Sequence, residues 1–169
     1  MAWLFPGEPV ARHRALADEK ESLFRSLAGA MHPLPGLLDL LAWAARGAIK
    51  CAVVTNAPRA NAEMMLGALG LRERFPVLVL GDELARGKPD PLPYLTALDR
   101  LGAQASRAVA FEDSRSGVAA AHAAGIETIG MIAAQTPEAL RALFGADGAV
   151  LHRLAQGLDA SAVWNTGRA

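Results

Sequence analysis

The sequence predicts an α/β protein, a three-layer domain built on a parallel sheet with a short helical piece ahead of it. Three observations carry this reading. Short apolar runs alternate with helical patterns from Leu37 to Leu151. The first of these runs is apolar on both faces, as a strand covered by helices on each side should be. Polar residues also follow the first three runs directly, and that edge, outside the carboxyl ends of the strands, is where open parallel sheets bind ligands. Strands separated by helices at this spacing imply right-handed βαβ crossovers.

The elements follow in order. Residues 12–30 place Leu16, Leu23 and Leu27, with Phe24 beside them, on one helical face, and Asp18, Glu19, Glu21 and Arg25 on the other. The apolar face is expected to be core. His32-Pro33-Leu34-Pro35-Gly36 then punctuates the chain and marks the start of the main domain. A helix over 37–45 closes near Gly47, and residues 51–55 (Cys-Ala-Val-Val-Thr) form the first strand. A helix over 60–69, a strand over 77–80, a helix over 91–101 opened by proline, and a strand over 108–111 come next. A small-residue helix over 116–124, a strand over 127–132, a helix over 137–144 and a short strand over 149–151 complete the pattern.

Bulk properties exclude several classes of function. The chain has 169 residues, the size of one domain, with 52% hydrophobic and 20% charged residues, a globular composition. Formal net charge is zero and no basic run occurs, so no nucleic-acid partner is expected. Cys51 is the only cysteine, which rules out an intrachain disulfide or a cysteine metal cluster and suits a reducing, cytoplasmic setting. The first ten residues contain Pro6, Glu8 and Pro9 and no basic start, unlike a leader. No run of about 18 uncharged apolar residues exists, so no membrane span is expected.

The strand ends carry the chemistry. Thr55-Asn56 follow the first strand, Gly81-Asp82 the second and Glu112-Asp113-Ser114 the third. Lys88 lies in a Gly87-Lys88-Pro89-Asp90-Pro91 loop able to reach the same edge. Thr55 offers a hydroxyl, Lys88 a point positive charge suited to phosphate, and Glu112 and Asp113 hard oxygens suited to magnesium. Together they point to phosphoryl chemistry, in which positioning and charge neutralisation supply most of the catalysis. The alternative is an ordinary solvated loop with a helix cap, which leaves the co-occurrence unexplained. Asp82 reads as a loop cap more than as a support for the site, and Arg59 as a surface charge. His13, His32, His122 and His152 lack ligand spacing, and Cys51 reads as a strand residue, not a nucleophile.

Val53-Val54-Thr55-Asn56, Gly87-Lys88-Pro89-Asp90-Pro91 and Phe111-Glu112-Asp113-Ser114-Arg115-Ser116-Gly117 resemble the second, third and fourth motifs of the haloacid dehalogenase-like hydrolases. The form is that of the phosphoglycolate phosphatase and β-phosphoglucomutase branch. The resemblance spans roughly residues 34–148. It implies a three-layer Rossmann-like parallel sheet and a Mg2+-dependent phosphatase acting on a small phosphorylated metabolite. Thr55 and the Asn56 amide would hold the phosphoryl group, Lys88 would neutralise it, and Asp113 would bind Mg2+ with Glu112 assisting. Ser114 and Ser116 would shape the loop and cap the next helix. The implied organisation is a helical cap remnant over 1–33, the α/β core over 34–155 and a tail over 156–169.

The sequence departs from that family at its first motif, an Asp-x-Asp pair whose first carboxylate is the nucleophile and whose second is the general acid/base. None of the eight aspartates stands two residues from another, and Asp39 sits inside a helical Leu-Leu-Asp-Leu-Leu pattern. The resemblance therefore implies a chain that begins inside the cap, lacks the central first strand and is impaired in turnover. Two alternatives stay open: a phosphate-binding remnant without catalysis, or a fragment that needs a partner to complete its sheet. In an ordered structure the strands over 51–55 and 108–111 are expected to pair directly, or another segment or another chain to fill the space between them. Unpaired strand edges would also let copies of the chain associate. A dinucleotide-binding module is a weak further reading, since no G-x-G-x-x-G occurs.

Overall fold

A computed structural model describes residues 5–27, 31–131 and 150–151. The elements are α1 (Val10–Leu27), α2 (Leu37–Arg46), β1 (Ala52–Thr55), α3 (Arg59–Ala68), β2 (Val77–Leu80), α4 (Leu92–Leu101), β3 (Val109–Glu112), α5 (Arg115–Ala123), β4 (Glu127–Met131) and β5 (Val150–Leu151). Single 3-10 turns at Arg72–Arg74, Gly81–Glu83 and Ala105–Arg107 tighten three of the connections. The helix expected over 137–144 and the tail over 156–169 lie outside the described residues. None of the described helices is long and apolar enough to cross a membrane.

Local chemistry sets the helix ends. Pro91 and Pro93 occupy the opening turn of α4, where a missing N–H costs nothing, and Gly102 closes the helix at φ 61. Ser114 caps α5, its hydroxyl accepting the Gly117 N–H.

All strand pairs are parallel, as expected. β1 pairs with β2 from Ala52↔Val77 to Thr55↔Leu80. β3 pairs with β4 from Val109↔Glu127 to Glu112↔Gly130, and β4 with β5. The described strands form two sheets, β1-β2 and β3-β4-β5. The expected direct pairing of β1 with β3 is not seen, and among the described residues no strand is hydrogen-bonded between them. Side-chain packing explains how the halves stay together without it. Tyr94 and Leu98 of α4 share a buried cluster with Ala110 of β3 and with Ala120, Ala121 and Ala124 of α5, and Val54 of β1 packs against it.

The opposite face of β1-β2 is covered by a second cluster, Leu41, Ala62, Leu66, Leu71, Leu78 and Leu80, with Cys51 and Val53 against it. Successive β1 residues thus face different cores, Val53 one and Val54 the other, which is the two-residue period of a strand covered on both sides. β1 is nevertheless half-buried along its length, whereas β2 is buried from Leu78 onward. A strand hydrogen-bonded along one edge is less covered than the fully buried strand its sequence suggests.

The α1 face expected to be core is largely exposed, with Leu23 57% and Phe24 40% accessible. The helix instead meets α3 through its charged side. Arg25 donates to the side-chain oxygen of Asn61 at 2.8 Å, and the Asn61 amide donates to Glu21. Glu21 and Arg25 lie one turn apart, and Asn61, only 3% exposed, uses both ends of its amide on them. A buried amide without partners would be costly, so the polar pair fixes the docked face of α1.

Leu80, 2% exposed, sits in the second cluster at the tip of β2. Leu80→Ala is expected to lower stability by about 2–5 kcal/mol. Denaturant unfolding checks this, and a loss under about 1 kcal/mol would mean that the cluster is not a folding core.

Candidate functional site

The carboxyl tips of β1 and β3 are joined by one lysine. β1 ends at Thr55, whose hydroxyl oxygen accepts the Ala57 N–H at 3.0 Å and turns the chain. That hydroxyl keeps its own proton free to donate. The Asn56 side chain then clasps the backbone of Lys88. Its oxygen accepts the Lys88 N–H and its amide donates to the Lys88 carbonyl, each at 2.9 Å. Gly81 and Gly87 make room for this clasp, because a Cβ at either would run into the Asn56 side chain. The Lys88–Pro89 peptide is cis.

From the clasped backbone the Lys88 side chain turns inward. Its ammonium donates to Glu112 Oε1 at 2.5 Å, with side chains 9% and 5% exposed. Tyr94 of α4 donates its hydroxyl to the same oxygen, and the ammonium lies 5.7 Å from the centre of the Tyr94 ring. The other carboxylate oxygen accepts from the Ser114 hydroxyl at 3.2 Å. Glu112 also lies against the first turn of α5, where a Cβ at Gly117 would overlap its carboxylate. The positive end of that helix favours a negative group there. The buried charge is thus matched by a cation, two hydroxyls and a helix terminus, and among the described residues no buried side-chain polar atom lacks a partner.

Asn56, Lys88 and Glu112 are therefore in direct contact. Thr55 and Asp113 flank them in sequence, and neither forms a hydrogen bond or ion pair with Lys88. Asp113 is exposed and makes no ion pair among the described residues. Asp82 is exposed within the Gly81–Glu83 turn. Arg59 is a surface charge bonded through two nitrogens to Glu83 at 2.6 and 2.7 Å. His13 bonds the Phe5 carbonyl at 2.8 Å, and His152 lies outside the described residues. Cys51 packs beneath β1, and burial pushes its thiol pKa up, away from a reactive thiolate.

Among the described residues no group of three or more His, Cys, Asp or Glu side chains is placed to hold a metal. Magnesium does not require one. It commonly keeps several waters and binds through one or two carboxylates and substrate phosphates. Asp113 presents a free carboxylate of that kind, whereas both Glu112 oxygens are engaged by Lys88, Tyr94 and Ser114.

Two participants were not evident as such in the sequence, Tyr94 and Gly117. Tyr94 is the only tyrosine of the chain, six positions beyond Lys88 on an otherwise apolar helix face. A lone hydroxyl on a buried face was the available signal.

The profile of the haloacid dehalogenase-like hydrolases matches residues 11–131. A phosphorylated carbohydrates phosphatase of Thermotoga maritima is 41% identical over 112 residues, 66% of this chain and 50% of the relative. A phosphoglycolate phosphatase of Rhodospirillum rubrum is 46% identical over 98 residues, 57% of this chain and 40% of the relative. The crystal structure of a CbbY mutant from Rhodobacter sphaeroides in complex with xylulose-(1,5)bisphosphate superimposes with a TM-score of 0.73 at 35% identity, covering 89% of this chain and 66% of that one. The chain spans about half the length of the curated relatives it matches.

Two outcomes are expected from this geometry. Alanine in place of glycine within a helix ordinarily stabilises by about 0.5–1 kcal/mol. Gly117→Ala should instead destabilise by about 1–3 kcal/mol, because Glu112 is pinned on three sides and cannot yield. Thermal or denaturant unfolding gives the sign, and a gain in stability would show Glu112 to be loosely held. The second outcome concerns Tyr94, whose pKa is pushed far above the ordinary tyrosine range by burial first, then by its bond to Glu112 and the charges of Glu112 and Asp113. Near pH 10 an unfolded tyrosine loses its proton while folded Tyr94 keeps it. Its contribution to stability is present below the unfolded value and is lost as pH rises above it. Ultraviolet titration should detect tyrosinate only as the chain unfolds. Tyrosinate forming near pH 10 in a folded chain would put the ring in water.

Proposed function

The chain belongs to the haloacid dehalogenase-like hydrolases, and on that premise we propose that it is the phosphate-handling part of a phosphohydrolase of small phosphate esters, phosphoglycolate phosphatase-like in its motifs. The observation that carries this reading is the buried Lys88–Glu112 pair, clasped by Asn56 to the tip of β1. It sets a cation with further N–H groups at the strand tips, where Thr55 and Asp113 adjoin Asn56 and Glu112 in sequence. Similarity to phosphatases of phosphorylated carbohydrates and of phosphoglycolate supports the substrate class.

Each residue has a part in this reading. Lys88 neutralises the phosphoryl oxygens, and Thr55 donates its hydroxyl to one of them. Asn56 holds the Lys88 backbone so that the ammonium is placed before the ligand arrives. Asp113 holds Mg2+, with Glu112 on the side of Lys88. The ion, when bound, supplies further neutralisation of phosphate charge. A cytoplasmic setting accords with the single cysteine.

A second reading, phosphate binding with impaired turnover, is favoured by a specific observation. The 169 residues contain no Asp-x-Asp pair to supply the carboxylate nucleophile. Loss of a nucleophile commonly costs several orders of magnitude in rate. Completion by a partner, or association of copies through the edges of β1 and β3 that are unpaired among the described residues, belongs to the same reading.

The purified 169-residue chain is expected to bind inorganic phosphate and to hydrolyse generic phosphate esters with Mg2+ far more slowly than the ~10 per second typical of enzymes. Lys88→Met should weaken phosphate binding at least about tenfold by calorimetry, since charge-assisted hydrogen bonds to phosphate are the strong ones. Undiminished binding in that variant would end the pocket assignment. Ordinary turnover would mean that another group serves as nucleophile.

A further inference from the structure

We infer that Tyr94 is a positioning residue for phosphate binding, its hydroxyl sharing the Glu112 oxygen that holds Lys88 and so keeping the ammonium available to an anion. The inference rests on the phosphate reading of the site. Its starting point is chemical. Tyr94 is 7% exposed and packs with Leu98, Ala110 and Ala120, where a phenylalanine would fill the same space without a hydroxyl to satisfy. The hydroxyl bonds neither backbone nor surface. It donates to Glu112 Oε1, the atom that accepts from Lys88. The ring lies 5.7 Å from the same ammonium, within the range of a cation–π contact. One side chain thus touches both members of the ion pair.

The consequence concerns competition. Glu112 and an incoming phosphate both seek the Lys88 ammonium, which has three N–H donors. A carboxylate oxygen already satisfied in part by a hydroxyl attracts the ammonium less strongly. With the hydroxyl removed, that oxygen depends on Lys88 alone, and the ammonium is drawn inward and away from the anion. The backbone of Lys88 stays fixed by Asn56, so the change is confined to the side chain.

Calorimetry with inorganic phosphate on the full chain, its Tyr94→Phe variant and its Lys88→Met variant tests this. Tyr94→Phe is expected to weaken phosphate binding about three- to tenfold, the scale of one charged hydrogen bond when partly compensated. Lys88→Met should weaken it more. Because the chain has one tyrosine, biosynthetic 3-fluorotyrosine labels this position alone, without relying on the folding of a substitution. Phosphate should displace the fluorine resonance in the parent chain and leave it unmoved in Lys88→Met. Binding in a folded Tyr94→Phe within about twofold of the parent, with Lys88→Met impaired, would overturn the role of Tyr94 and leave the pocket standing. So would a fluorine resonance indifferent to saturating phosphate. A parent chain that binds no phosphate, or a Lys88→Met chain that binds it as well as the parent, would overturn the phosphate reading and this inference with it.

Discussion

The buried pair of Lys88 and Glu112 is the constraint around which the strand tips are arranged. A charge taken out of water is tolerated only when matched, and removing one partner of such a pair typically costs about 3–5 kcal/mol. Glu112 is 5% exposed, so its matching must be complete within the protein. The requirement reaches four separate segments. The loop after β2 supplies Lys88, α4 supplies Tyr94, and the cap of α5 supplies Ser114. The turn after β1 fixes the Lys88 backbone through Asn56. The glycines at 81, 87 and 117 follow from the same demand, since each leaves space for a side chain of this network.

The pair also crosses between the two sheets. β1-β2 and β3-β4-β5 share no backbone hydrogen bonds among the described strands. What joins them is a layer of helix, with α4 and α5 contributing to one cluster that reaches Val54 and Ala110, and the chain of contacts from Asn56 through Lys88 to Glu112 at the tips. Apolar packing is non-directional and holds the halves together. The polar chain is directional and sets how their tips face each other.

Much of this was legible in the sequence because it is local. Strand and helix positions follow from apolar period and punctuation, and β2 falls at residues 77–80 as its Val-Leu-Val-Leu run predicts. The contact of Asn56 and Glu112 with Lys88 was in part legible, since Asn56 and Glu112 stand at the ends of apolar runs and Lys88 in a loop able to reach them. What was not legible depends on three-dimensional partners. That β1 and β3 do not pair among the described strands depends on partners in space, which the two strand sequences do not encode. The docked face of α1 was misread because its leucines form the more apolar stripe, yet Glu21 and Arg25 are the residues that satisfy buried Asn61. Tyr94 was overlooked because a tyrosine on an apolar face reads as core until the carboxylate it meets is known.

The contrast between Glu112 and Asp113 is a last consequence of strand geometry. Side chains alternate faces along a strand, so Ala110 and Glu112 point the same way. Ala110 belongs to the buried cluster of α4 and α5, and Glu112 is therefore carried toward that interior, where Tyr94 and the inward-turned Lys88 meet it. Phe111, on the other face, is 40% exposed, and Asp113 beyond the strand end is exposed as well. Two adjacent carboxylates thus receive different environments from backbone period alone. The buried one is bound to fixed protein donors and orients a lysine. The exposed one makes no ion pair among the described residues and leaves its oxygens to water. A single change of strand register would exchange these environments. The parallel pairing of β3 with β4 is therefore as much a part of the site as the side chains at its edge.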